Sequence, residues 1–233
     1  GVPIAASIGF ATLASMISGG SGNLFLVAQK MITAMDSTTL LAIPLFILAG
    51  AIMGKGGISK RIIDLSYELF GWIPGSLGIV CVVSCMFFAA LSGSSPATVA
   101  AIGGIMVPAM IDDGYPAGFS CSVAAAGGII GCIIPPSIPF VNYGLITGES
   151  VGDLFAGGIL PGILMGISLC VIISFKAKKH GWGTTTKGIN LRNLGKAFLN
   201  SILALLMPVI ILGGIYGGYF TPTEAAAVAC IYG

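Results

Sequence analysis

Charge is what this chain has least of: ten Lys or Arg and eight Asp or Glu among 233 residues, 8% in all. A soluble domain carries about a quarter charged residues, so this few cannot coat a water-facing globule of such length. The mean hydropathy of +1.04 and 56% hydrophobic residues suit a chain whose solvent is lipid. Histidine is almost missing too. The only one, His180, lies in the basic stretch KAKKHGW and not in an apolar run. That argues against a serine hydrolase built on the SGSS of 92–95, which would need a base beside its nucleophile; no G-x-S-x-G occurs either. Six cysteines (Cys81, Cys85, Cys121, Cys132, Cys170 and Cys230) lie in apolar runs with no CxxC and no nearby histidine. They read as packing residues rather than as a metal or disulfide framework.

The charges that exist are clustered. Lys55, Lys60 and Arg61 form one group, and Lys176, Lys178, Lys179, Lys187, Arg192 and Lys196 form another. The positive-inside rule puts both on the cytoplasmic face. Residues 1–17 then read as most of a span, 18–37 as an interfacial arm on the outside, and 38–54 as an uncharged span running inward. Over 57–72, Ile58, Ile62, Leu65 and Leu69 recur at helical spacing with Lys60, Asp64 and Glu68 on another face and Trp72 at the end. That pattern predicts a helix lying in the interface; a solvated helix packed on protein is the alternative. Residues 153–175 return inward, 176–195 form a polar cytoplasmic linker, and 197–219 go outward. Glu224, three residues after Thr221, reads as a capping-box partner.

Two uncharged stretches are too long or too broken for plain spans. Pro74 to Met110 would rise about 55 Å as one helix, against a hydrocarbon core of roughly 30 Å. It must fold back, and SGSSP is the turn, giving arms of 74–91 and 95–110 and a re-entrant hairpin. Tyr115 to Gly148 is interrupted by Pro135, Pro136 and Pro139, which free backbone carbonyls and predict halves at 115–134 and 138–147. Irregular backbone at membrane depth survives only inside protein or against a water-filled cavity, and transporters place ion and substrate sites there. Ser92, Ser94 and Ser95 offer hydroxyls and Gly93 offers unusual dihedrals. Pro96 and Thr98 open the returning helix, and Ser137 and Asn142 belong to the second break. No ionisable residue falls mid-span, so sodium coupling is favoured over a proton relay.

The segments LLAIPLFILAGAIM, FFAALSGSSPATVAAIGGIMVPAM, GGIIGCIIPPSIPFVNYG, LPGIL and YFTPTEAAAVA resemble, in order, the large membrane subunit (DctM-like) of tripartite ATP-independent periplasmic (TRAP) transporters. The resemblance covers essentially the whole chain. It implies an all-α polytopic membrane protein with an elevator-type fold of two inverted repeats, each with a re-entrant hairpin and a broken helix. It implies a bacterial inner-membrane location, a small membrane subunit and a periplasmic substrate-binding protein as partners, and Na+ as the coupling ion. The cargo would be an organic acid: a dicarboxylate, sialic acid, sugar acid or keto acid. Carried over by position, Ser92, Gly93, Ser94 and Ser95 would form the hairpin tip. Pro135, Pro136 and Ser137 would form the paired break, and the two together would frame a sodium site. Thr98 and Asn142 are substrate-contact candidates. No catalytic residue, no resident cofactor, no metal other than sodium and no nucleic-acid partner is implied.

The expected division is 1–72 as scaffold spans, outer arm and interfacial helix; 73–148 as the mobile hairpin and broken helix; 149–195 as span plus linker; and 196–233 as the start of a second repeat. The family's chain is about twice as long, so a fragment is expected. Two other classes compete: a channel-like subunit, against which stand uncharged breaks without a repeated selectivity motif, and a structural subunit whose serines only pack helices.

Overall fold

The computed structural model describes residues 2–19, 24–183 and 191–233, and every regular element among them is helical. It divides into two units, Gly1–Thr38 and Thr39–Gly233. The first holds α1 (Ile4–Ser18) and α2 (Leu24–Met35). Helix α1 falls where a span is expected, and it exposes large apolar side chains such as Phe10 and Ile17. Helix α2 belongs to the expected outer arm; residues 20–23 of that arm lie outside the described residues.

The second unit carries the core. A tight turn at Thr38–Leu41 leads into α3 (Ala42–Lys55), which buries Phe46, Ala49 and Met53. Helix α4 (Ile58–Phe70) follows, entered through Gly57 in the left-handed region. It is not a bare interfacial helix. Ser59, Ile62, Leu65 and Ser66 are buried, and the helix packs chiefly on α5 (Ser76–Ser92) and α10 (Leu191–Tyr216). Small serines allow that close approach. Ser66 donates back to the Ile62 carbonyl at 2.8 Å, and Ser201 of α10 donates to the Arg61 carbonyl at 2.9 Å. Ile62 and Leu65 of the apolar stripe thus meet protein, while Trp72 beyond it stays half exposed.

Helix α5 turns at Gly93 into α6 (Ser95–Asp112), the two packing as a hairpin. Within α6, Val99–Gly103 winds as a wider π-type turn, a local irregularity common at functional sites. Helix α7 (Ala117–Ile129) tightens over Ile130–Cys132 and breaks, and α8 (Ile138–Thr147) resumes at the position the prolines predict. Helix α9 (Val151–His180) is longer than the expected span and takes in part of the predicted linker. Its last turn carries Lys178, Lys179 and His180, where cations complement the helix dipole. Its end is anchored by an aromatic cluster: Trp182 packs on His180 at 4.6 Å and on Phe119 at 5.0 Å, and Lys176 lies over the Phe119 ring. Residues 184–190 of the expected linker lie outside the described residues. Helix α11 (Pro222–Tyr232) closes the chain against α3, headed by the capping box expected of Thr221 and Glu224.

Four helical segments are long and apolar enough to cross a membrane: Thr38–Lys55, Ser95–Asp112, Val151–His180 and Arg192–Tyr216. With their apolar surfaces and few charges, they make this a multi-pass membrane protein. Helix α5 is shorter, at 17 residues, yet it is the most enclosed, touching α4, α6, α7 and α9.

Candidate functional site at two helix breaks

The hairpin tip and the proline break meet. Ile138 donates its amide to the Gly93 carbonyl at 3.1 Å, across 45 positions of sequence. Gly93 sits at φ +61 in the left-handed region, and a Cβ there would stand 2.5 Å from the Pro136 carbonyl oxygen. Only glycine serves both needs, the turn and the close approach. The Pro135–Pro136 bond is cis. Gly131 makes a second tight crossing: a Cβ on it would lie 2.7 Å from Thr98 Oγ1 and 3.0 Å from the Ser94 carbonyl oxygen.

The hydroxyls divide into two groups. Ser92 and Thr98 are buried and face each other at 3.1 Å, and Thr98 Oγ1 donates to the Ser94 carbonyl at 2.9 Å. Ser137, also buried, donates to the Cys132 carbonyl at 2.6 Å and caps α8 by accepting from the Phe140 amide at 3.4 Å. These three are spent on holding the breaks in shape. Ser94 and Ser95 are half-buried at the tip, and their side-chain hydroxyls have no hydrogen-bond partner among the described residues. Thr98 therefore braces the tip rather than standing apart from it. Asn142 is exposed, one turn into α8, and does not join the cluster.

Each break presents both ends of a helix. The C-terminal ends of α5 and α7 bring carbonyls and partial negative charge, and the N-terminal ends of α6 and α8 bring amides and partial positive charge. Such a place can hold a small cation on its carbonyl side and an anionic group on its amide side. The residues by themselves locate both breaks, while their meeting is implied only by the family resemblance; no local signal pairs Gly93 with Ile138. Sequence reasoning also missed Gly131, whose role depends on which helix crosses it.

A family profile described as tripartite ATP-independent periplasmic transporter, DctM component, matches residues 1–233. The isethionate TRAP transporter permease protein DctMQ of Oleidesulfovibrio alaskensis is 49% identical over 233 residues, covering all of this chain and 37% of that protein. The C4-dicarboxylate TRAP transporter large permease protein DctM of Vibrio cholerae is 45% identical over 241 residues, again with the whole chain and 51% of the relative. The sialic acid TRAP transporter large permease protein SiaM of the same organism is 41% identical over 232 residues, with the whole chain and 54% of the relative. The chain thus spans about half or less of the length of the curated relatives it matches.

Proposed function

Because this chain belongs to the DctM component family of tripartite ATP-independent periplasmic transporters, we propose that it forms part of a permease subunit that takes up an organic acid in symport with sodium. The cargo class follows the relatives, whose names give C4-dicarboxylate, isethionate and sialic acid, all acids. A small membrane subunit and a periplasmic binding protein complete the system, in the bacterial inner membrane. The hairpin α5–α6 is re-entrant and moves with α7 and α8 as the carrier of an elevator.

One observation carries the reading: the two breaks, each in an uncharged stretch, are joined by the Ile138–Gly93 hydrogen bond into a single polar place. Sodium needs several oxygens and tolerates no neighbouring cation. Free carbonyls of the α5 end with Ser94 and Ser95 Oγ supply the oxygens, and the anionic group of the cargo, carboxylate or sulfonate, takes the amide ends of α6 and α8. Ser92, Thr98 and Ser137 act as braces that keep those ends aligned.

The test is a melting curve of the full-length protein in detergent, in sodium and in choline at equal ionic strength, beside a Ser94→Ala, Ser95→Ala variant. An ion at a hundred times its dissociation constant adds about 2.7 kcal/mol. Sodium-specific stabilisation that shrinks in the variant is expected. Equal melting in both salts would remove the sodium site and leave the two breaks as packing devices.

A further inference from the structure

A cavity of about 720 Å³ opens between α4, α5, α9 and α10, with Ile134 of the second break at one end and none of the break hydroxyls in its lining. Its walls include Ile73, Val83, Met86, Ile167 and Val171, and the whole lining holds one hydroxyl, Ser174, and no charged side chain. Water has almost nothing to bond to there. Ile167 and Val171 are about half exposed, so the cavity is a groove open along its side rather than a sealed void.

Its length and its ends suggest the occupant. Along α5 the lining runs from Ile79 to Ala90, about 16 Å of helix rise, close to half of a hydrocarbon core of about 30 Å. One leaflet's acyl chain has that reach. At one end lie Ile73 and Ser174. Trp72, half exposed, follows directly on the α4 side, a residue type that settles at headgroup level. On α9, Ile167, Val171, Ser174 and Lys178 follow one another at four-, three- and four-residue steps, so Lys178 continues the lining stripe one turn past the groove. Lys178 is exposed, and Lys176 and Lys179 flank it. The other end, at Ala90 and Ile134, has no charge.

We propose that this groove is a binding site for one anionic glycerophospholipid, with an acyl chain along α5 and α9 and the phosphate at Lys178. The proposal rests on the membrane location of the chain and not on sodium or on an elevator.

The full-length protein, delipidated in detergent and kept in choline, is given one equivalent of a phosphatidylglycerol that carries a diazirine on its acyl chain. After irradiation, labelled residues are mapped by mass spectrometry. Label should concentrate on 83–90 and 167–174. Ala90→Phe should cut retained lipid about tenfold, the effect of excluding roughly two methylenes from the wall. Lys178→Gln should abolish the preference for phosphatidylglycerol over phosphatidylethanolamine while leaving the label in place. Label spread equally over outward positions such as Phe175 and Val209 would overturn the site. So would a groove that takes no label, which would mean that protein fills it. Should Ala90→Phe fail to fold, the wild-type map alone decides. Because no sodium is present, a failure here is separate from a failure of the symport reading.

Discussion

Replacing Gly93 by alanine tests whether the two breaks really form one joint. The left-handed backbone alone costs an alanine about 1–2 kcal/mol. At Gly148, the C-cap of α8 with φ +78 and nothing within 4 Å of an added methyl, that cost is the whole effect. At Gly93 the methyl also meets the Pro136 carbonyl oxygen at 2.5 Å, so one strand of the joint has to move. Movement breaks the Ile138 to Gly93 bond and strands a donor, which costs about 1–3 kcal/mol more. Gly93→Ala should therefore be about 2 kcal/mol worse than Gly148→Ala, or about 2–4 °C lower in melting midpoint for a full-length chain about twice this long. Thermal unfolding of both full-length variants in detergent, followed by tryptophan fluorescence, measures the gap. Two variants that melt together would refute the joint.

Two other outcomes follow from groups outside that joint. Ser84, fully buried in the middle of α5, has a hydroxyl without a partner among the described residues, so Ser84→Ala should leave stability unchanged or raise it by up to about 1 kcal/mol; a clear loss in the same melting assay would mean that the hydroxyl contributes to the fold. Glu224, outside the four candidate spans, is held below the usual carboxylate range by hydrogen bonds from the Thr221 amide and hydroxyl. Its folded pKa being the lower one, its stabilisation is present above the ordinary carboxylate pKa and is lost as pH falls through the depressed value. Hydrogen exchange of the α11 amides should thus accelerate from about pH 7 to about pH 3 more in the wild type than in Glu224→Gln, after correction for intrinsic rates; equal responses would contradict it.

What is readable in the sequence is what violates a local rule. Glycine, serine and proline inside uncharged runs stand out because a helix in lipid has no use for them, and so 92–95 and 135–137 fall within a residue or two of the observed breaks. The capping box of α11 is legible for the same local reason. Partners are not legible. The stripe on α4 has the same period whether it meets lipid or helices, and only the packing of α5 and α10 decides. The serines look alike in the sequence, yet the hydroxyls of Ser92 and Ser137 are bonded within the breaks while those of Ser94 and Ser95 have no partner among the described residues. Asn142 neighbours the second break along the chain, but its position on α8 turns it outward. The length of α9 is hidden by its charged last turns, which look like linker until the aromatic cluster gives them something to pack on.

That cluster has a mechanical consequence. Tyr115 and Phe119, at the junction where the hairpin hands over to the broken helix, are clamped through Trp182 to the far end of a helix thirty residues long. Gly75 and Gly78, at the root of α5, nestle against Ala177 and Ile173 of that same end. A rigid rod gripped at its tip transmits thrust along its axis, so under the elevator reading proposed above any stroke of α7 and α8 would have to carry α9 with it or first open the clamp.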